Sequence, residues 1–209
     1  MSMRLERMPG WRSFLAVLGL LWLNACASLA PPAGGGVLPR RDALRDFSLE
    51  ARFSLRYEDK SYAGRLSWRH AGEHDELLLS SPLGQGMAEI FGDPGRVRLQ
   101  AGDGKSYVAD EAETLTQQVL GYPLPLGNLA GWVRGRSGSA KSKGVEAAAP
   151  DAFGRPLRLH EDGWRIDYEY DGDDAQALPA RLFIERQGVL ELRLRIDEWA
   201  GLPGKERGP

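Results

Sequence analysis

Cysteine is almost absent from this chain of 209 residues, which carries a single one, Cys26. One cysteine excludes an intramolecular disulfide and makes a cysteine-built zinc site untenable. Histidine is nearly as scarce, with three residues. His70 and His74 are four apart, but they fall between two strand-like patterns rather than on a helix. The sequence therefore predicts solvated turn residues there, and no metal site.

An excess of positive charge is also missing, because the formal net charge is −2. Nucleic-acid-binding proteins normally carry a basic face, so nucleic acid is not expected as a partner. The chain contains no G-x-S-x-G elbow, phosphate-binding glycine loop or H-E-x-x-H motif. Its acidic residues fall on the polar faces of predicted strands, where nothing raises their pKa for acid–base work. Neither an enzyme nor a cofactor is predicted.

Long hydrophobic runs are limited to Phe14–Leu23, whose ten residues are too few to span a bilayer. Arginines precede this run and Leu23-Asn24-Ala25-Cys26 ends it, so residues 1–25 are predicted to be a signal peptide. The ending resembles a bacterial lipobox, in which the cysteine sulfur carries a diacylglycerol, although Asn24 departs from the commoner residues there. The other interpretation is an ordinary secretory signal with a buried free cysteine.

Cleavage before Cys26 would leave a body with a net charge of about −4, so no polybasic patch is expected to assist membrane binding. One acyl chain binds a membrane only marginally, and stable attachment therefore requires more than one chain on Cys26. Ala27 follows the cysteine where inner-membrane lipoproteins have Asp, which predicts sorting to the outer membrane of a Gram-negative envelope. Residues 26–39 are predicted to form a flexible tether, and residues 40–209 a single domain.

Most of the remaining chain alternates apolar and polar residues, which indicates strands with one buried face. The clearest case is Phe47–Tyr57, followed by a turn and a second strand that completes a hairpin. Because each strong strand has one polar face, the sheet is predicted to be antiparallel. The other predicted strands are residues 61–69, 76–80, 86–91, 96–100, 105–109, 164–170, 180–186 and 190–197.

Helical patterns are few, which gives a mainly β fold class with a few short helices. Asp110 and Glu113 have the spacing of a capping box before an apolar stripe that ends at Gly121. Short helices are also predicted over residues 128–134 and 40–46. Residues 135–150 are rich in Gly, Ser, Ala and Lys and are predicted to be an exposed mobile loop.

The connector Pro82-Leu83-Gly84 places a bulky apolar side chain at a predicted hairpin tip. Such a side chain is useful there if the tip meets a membrane. The alternative is that Leu83 folds back into the core, and these residues alone leave both interpretations open.

The chain resembles the LolB family of outer-membrane lipoprotein receptors, through an ordered set of short motifs that covers nearly all of the predicted mature chain. No single motif is specific. In addition to the signal and the lipobox, they are Gly64-x-x-x-Trp68, Leu77-Leu-Leu-Ser-x-Pro-Leu-Gly84, Tyr107-x-Ala-Asp-x-Ala-Glu113, Gly121-Tyr-Pro-Leu-Pro-Leu126, Leu129-x-x-Trp132-x-x-Gly135, Gly163-Trp-x-Ile-x-Tyr168, Leu178-Pro179 and Ile196-x-x-Trp199.

The resemblance implies an open antiparallel half-barrel with a helical lid over an apolar cavity. It implies a monomer that accepts cargo lipoproteins from a soluble periplasmic carrier of the LolA type, without ATP, and releases them into the inner leaflet of the outer membrane. Leu83 would then be the residue that enters the membrane. Candidate cavity residues are the apolar faces of the strong strands and the predicted lid: Phe53, Leu55, Leu66, Trp68, Leu115, Val119, Trp132, Leu192 and Leu194.

Patterning alone does not decide between a cavity and a packed core. A lipocalin-like binder of free lipid or another small apolar ligand would share the barrel and the pocket. A structural outer-membrane lipoprotein would have a solid core.

Overall fold

A computed structural model describes residues 40, 41, 43–138, 142 and 144–202. The predicted signal peptide, Cys26 and the tether lie outside these residues. The strands are β1 (Phe47–Tyr57), β2 (Lys60–Ala71), β3 (His74–Ser80), β4 (Gly86–Asp93), β5 (Arg96–Ala101), β6 (Ser106–Ala109), β7 (Val145–Ala147), β8 (Arg158–Glu161), β9 (Trp164–Glu169), β10 (Arg181–Arg186) and β11 (Leu190–Gly201), and the helices are α1 (Ala112–Leu120) and α2 (Leu126–Trp132).

All eleven strands form one antiparallel sheet in the order β6-β5-β4-β3-β2-β1-β11-β10-β9-β8-β7. The sheet is not closed, since β6 and β7 are its two edges. The long strands β1, β2 and β11 are central, and β1 pairs with both of the others along its whole length. The predicted mainly β class, with an open antiparallel sheet and few helices, is confirmed.

Alternation along the strands buries one face of the sheet beneath the helices. The apolar side chains fall into two core clusters, a large one around Phe47, Trp68 and Ile166 and a smaller one around Ile90, Leu99 and Leu115. Leu77, Leu79 and Leu126 pack against both clusters.

The helix boundaries differ from the sequence prediction. Helix α1 begins at Ala112 with Glu111 as its N-cap and no side-chain cap, so the predicted capping box of Asp110 and Glu113 is wrong. Gly121 does end α1, in the left-handed conformation with φ of 83°. Helix α2 lies two residues earlier than predicted, because Leu126 is already helical.

Two further segments correct the prediction. The described residues of the predicted helix at 40–46, which are 40, 41 and 43–46, are not helical, and the amides of Ala43 and Leu44 donate to the carbonyl of Arg40 in a turn. The predicted mobile loop contains β7, which pairs with the unpredicted strand β8. Sequence analysis missed both strands because each has at most four residues.

His70 also differs from its prediction as a solvated turn residue. It lies within β2 and is buried, with its ring 5.0 Å from the ring of Phe47. Its Nδ1 is 2.7 Å from Asp75 Oδ1, which also accepts a 2.8 Å hydrogen bond from Trp68 Nε1. His74 is exposed, as predicted, and pairs with Asp93. Within the described parts of residues 40–202, no three His, Asp or Glu side chains are grouped as metal ligands would be.

Candidate functional site: an apolar cavity under two helices

An apolar cavity of about 300 Å³ lies between the sheet and the two helices. Residues of both core clusters line it, so the cavity lies between the two clusters. Its wall also includes Met87, which is partly exposed, and the cavity therefore approaches the surface beside β4.

None of the described residues that line the cavity is charged, and two of their polar groups are bonded to other groups of the protein. Thr116 Oγ1 accepts a 2.8 Å hydrogen bond from the amide of Leu124, and the indole N–H of Trp68 is bonded to Asp75. Water therefore has few polar atoms to bind inside. An apolar chain is the ligand that such a wall suits.

Seven of the nine candidate cavity residues line this cavity: Phe53, Leu55, Leu66, Trp68, Val119, Leu192 and Leu194. Leu115 and Trp132 do not. Both are fully buried, because Leu115 packs into the smaller cluster and the Trp132 ring lies 5.7 Å from that of Trp164.

Sequence analysis missed the part of the wall contributed by β3, β4 and β5. These residues are Leu77, Leu79, Met87, Ala88, Ile90, Leu99 and Ala101. In the sequence, these residues alternate with outward-facing ones such as Leu78 and Glu89. The sheet order β5-β4-β3-β2 places the three strands next to β2, so their inward-facing residues continue the wall. The short connector between the helices adds Leu124, which is likewise not a candidate from strand patterning.

Helix α2 is attached to the sheet by a buried carboxylate that sequence analysis assigned to a polar face. Glu161, at the end of β8, has no exposed surface. It accepts hydrogen bonds from Trp132 Nε1 at 2.6 Å, the amide of Gly138 at 2.9 Å and Ser137 Oγ at 3.0 Å, and also one from Ser142. Leu159 and Glu161 are both buried, whereas Arg158 and His160, before and between them, are exposed. This period-two pattern is the signal in the sequence that could have placed Glu161 on the buried face.

The pKa of Glu161 reflects two opposing effects. Burial by itself raises the pKa, whereas the hydrogen bonds from Ser142, Gly138, Trp132 and Ser137 lower it. The hydrogen bonds dominate, so the pKa lies below its ordinary value and the group is a carboxylate at neutral pH.

A second attachment of α2 comes from Arg134, which follows the helix. Its guanidinium donates to the carbonyls of Ala130 and Leu44, at 2.6 Å and 3.0 Å. Burial is the main cause that lowers the pKa of Arg134. Together with Glu161, these contacts hold one side of the cavity roof in place.

Leu83 stands at the tip of the turn between β3 and β4 and is 89% exposed. The turn is fixed by hydrogen bonds from the Ser81 amide to the Gln85 carbonyl and from the Gly84 amide to the Ser81 carbonyl, both 2.8 Å. Gly84 has a φ of 85°, which glycine adopts without strain. Leu83 therefore does not fold back into the core, and the turn presents it to the surroundings. None of the helices in the described residues is long and apolar enough to cross a membrane.

Known proteins resemble this chain in sequence and in fold. The family model described as outer membrane lipoprotein LolB matches residues 45–199. An outer-membrane lipoprotein LolB from Dechloromonas aromatica is 45% identical over 195 residues, covering 91% of this chain and 98% of that protein. Another from Thiobacillus denitrificans is 39% identical over 194 residues, covering 92% and 100%.

Among solved structures, a LolA superfamily protein from Nitrosomonas europaea superposes with a TM-score of 0.51 and 10% sequence identity. The superposition covers 79% of this chain and 92% of that chain. At this level of identity, the likeness is one of fold.

Proposed function

The chain belongs to the LolB family of outer-membrane lipoproteins, and we propose that its cavity and its exposed leucine together move lipoproteins into the outer membrane. It is a receptor of lipoprotein localisation and not an enzyme. The observation that carries the proposal is an uncharged cavity wall in a molecule that also holds one leucine almost fully in solvent.

Acceptance of cargo requires that acyl chains leave one apolar environment for another. Each CH₂ group hidden from water contributes about 0.8 kcal/mol, so lipoprotein acyl chains do not cross the periplasm unescorted. A soluble carrier of the LolA type would bring the cargo, and the cavity lined by Phe53, Leu66 and Leu192 would receive the acyl chains.

Delivery requires that the cavity bind acyl chains more tightly than the carrier does and less tightly than the bilayer does. The transfer is then downhill at each step and consumes no ATP. Leu83 would enter the inner leaflet and bring the cavity to the membrane surface, because a leucine in water gains free energy on entering the acyl region. Diacylglycerol on Cys26 would keep the protein at that membrane.

The test is a two-step transfer assay with the full-length lipidated protein in vesicles and a carrier loaded with a radiolabelled lipoprotein. We expect cargo to leave the carrier and then to enter the bilayer. Leu83→Glu should leave acceptance intact and block delivery, because a carboxylate does not enter the acyl region. The matched control is Leu78→Glu, which changes another exposed leucine on the preceding strand.

Normal delivery by Leu83→Glu would refute the role of the leucine. Cargo that stays on the carrier would refute the receptor function itself. It would then favour a binder of free lipid, and an apolar dye that also failed to bind would favour a purely structural lipoprotein.

A further inference from the structure

Four arginines stand side by side on the outer face of the sheet, one on each of four adjacent strands. Arg181 of β10 pairs with Arg195 of β11, Arg195 with Arg52 of β1, and Arg52 with Arg65 of β2. We call these four residues the arginine row. Their side chains point away from the cavity, because their neighbours along the strands face it.

Carboxylates neutralise this row only in part. Asp197 accepts two hydrogen bonds from Arg52, at 2.7 Å and 2.9 Å, and lies 3.6 Å from Arg195. At the β10 end, Arg181 lies 2.9 Å from Glu169 and 3.9 Å from Asp171.

Arg65 has no ion pair or side-chain hydrogen bond within the described part of the chain. Among the described residues, Arg52 and Arg195 therefore share the carboxylate of Asp197, and Arg65 contacts no carboxylate. Like charges directly opposite one another on neighbouring strands destabilise a sheet. An external layer of anions would remove that cost.

Arg65, the end of the row without an ion pair in the described part of the chain, lies beside the turn of residues 81–85, which we call the leucine turn. Arg65 pairs with Ser80, the last residue of β3, and the turn that presents Leu83 begins at the next residue. On the side of the row away from this turn, Glu50 and Glu198 form a directly paired acidic position. The row therefore lies nearer to the Leu83 turn than this acidic pair does.

A shallow depression of about 510 Å³ follows the row. Its rim carries the four arginines Arg52, Arg181, Arg193 and Arg195 and the two carboxylates of Asp167 and Glu169, and the ring of Phe183 also lines it. Arg193 stacks on that ring at 5.2 Å. Guanidinium groups bind phosphate oxygens through two parallel hydrogen bonds, and an aromatic ring suits the boundary between headgroups and acyl chains.

We infer that the arginine row docks on the phosphates of anionic lipids in the leaflet that Leu83 enters. This inference rests on the proposed function, since it supplies the orientation in which the leucine reaches the bilayer. It departs from the expectation that no polybasic patch assists membrane binding, because the sheet places arginines from four separate strands side by side. A lipid tether keeps the protein near the membrane, and the row determines which face meets it.

The test measures contact of the outer face with lipid headgroups in the full-length, lipidated protein. Ser54→Cys places a thiol on this face two residues from Arg52, and it would be the single reactive thiol if the sulfur of Cys26 carries the lipid as proposed. A fluorophore is attached to that thiol, and its quenching by a quencher linked to lipid headgroups is measured in two kinds of vesicle. One is phosphatidylcholine alone, and in the other roughly a quarter of the lipid is phosphatidylglycerol.

We expect phosphatidylglycerol to increase quenching and about 1 M salt to reverse the increase, because the Debye length then falls to about 3 Å. Arg65→Gln combined with Arg195→Gln removes two charges and leaves the Arg52–Asp197 pair in place. Each arginine near an anionic surface strengthens contact about fivefold, so the double variant should lose most of the increase.

The matched control is Arg69→Gln combined with Arg98→Gln, which removes two charges from the same sheet face outside the row. It should retain the increase. Equal quenching in both kinds of vesicle, or equal losses in both double variants, would overturn the inference.

Cargo acceptance is measured separately and without vesicles, which distinguishes failure of this inference from failure of the proposed function. The double variant of the row should accept cargo from the carrier as well as the unmodified protein does. If it loses acceptance while quenching by anionic vesicles is unchanged, the row binds an acidic protein partner and the membrane assignment is wrong.

Discussion

The indole Nε1 of Trp132 donates a 2.6 Å hydrogen bond to Oε2 of Glu161, and neither side chain has exposed surface. The bond joins the last residue of α2 to the end of β8, 29 positions along the chain. The same carboxylate accepts several other hydrogen bonds, including one from the amide of Gly138. A buried anion therefore holds the edge of the cavity roof at α2, in addition to Arg134.

Replacing this anion should loosen the roof. Glu161→Gln keeps the shape but turns an amide N–H₂ toward groups that are themselves donors, including Trp132 Nε1. Hydrogen bonds to charged groups contribute about 1.5–3 kcal/mol each, so we expect a loss of about 3 kcal/mol in the free energy of unfolding, measured in urea. Glu146→Gln, on the neighbouring strand and exposed, should change stability by less than about 0.5 kcal/mol. Equal stability of the two variants would argue against the role of Glu161.

Acid should weaken the protein through the same carboxylate. The pKa of Glu161 is lowered in the folded state from an ordinary value of 4.5, so its stabilising effect is complete above about pH 4.5. The effect is lost as pH falls through the lowered pKa, because the protonated group accepts hydrogen bonds poorly. Unfolding free energies of the unmodified protein and Glu161→Gln should therefore converge as pH falls from about 6 to 3. A difference that stays constant over this range would contradict the assignment.

Filling the cavity should reduce ligand binding without unfolding the protein. Ala88 lines the cavity on β4, and a tryptophan there would occupy space that an acyl chain needs. We expect Ala88→Trp to lower the affinity for an apolar fluorescent dye about tenfold, which corresponds to about 1.4 kcal/mol. Ala63→Trp, exposed on the outer face of β2, should bind dye normally. A loss of dye binding in both variants would indicate general damage and not a filled cavity.

Much of the sheet was predictable because period-two alternation depends only on which face is buried. Phe47–Tyr57 was predicted with the boundaries that the structure gives to β1. Alternation shows on which face of the sheet a side chain lies, but it does not show which strands are neighbours. It therefore identified Phe53 and Leu66 as facing inward and did not reveal that β3 to β5 complete the same wall.

Several of the remaining errors concern side-chain contacts that only the folded chain forms. His70 resembled a turn residue until Asp75 and Phe47 were placed beside it. Glu161 could not be recognised as a buried carboxylate, because Ser137 and Gly138, which donate hydrogen bonds to it, lie more than twenty positions earlier in the chain. The arginine row could not be read from sequence either, because its members lie on four strands whose register only the fold determines.

Gly64 offers a test of how tightly the leucine turn is coupled to the sheet. A Cβ at this position would lie 2.2 Å from the carbonyl oxygen of Ser80 and 3.0 Å from the ring of Phe53. A side chain at position 64 would therefore force the backbone to shift at Ser80, the last residue of β3 before the leucine turn. We expect Gly64→Ala to cost about 1–3 kcal/mol in unfolding free energy and to slow cargo delivery.

Gly86 provides the matched control, since it pairs with the same Ser80 on the opposite side of β3. A Cβ there would meet no atom within 4 Å, and its φ is not positive. Gly86→Ala should therefore remain within about 0.5 kcal/mol of the unmodified protein and deliver cargo normally. If Gly64→Ala is as stable as Gly86→Ala, the close contact at Ser80 relaxes freely. If Gly64→Ala is destabilised but delivers cargo at the normal rate, the turn works independently of the strand geometry that supports it.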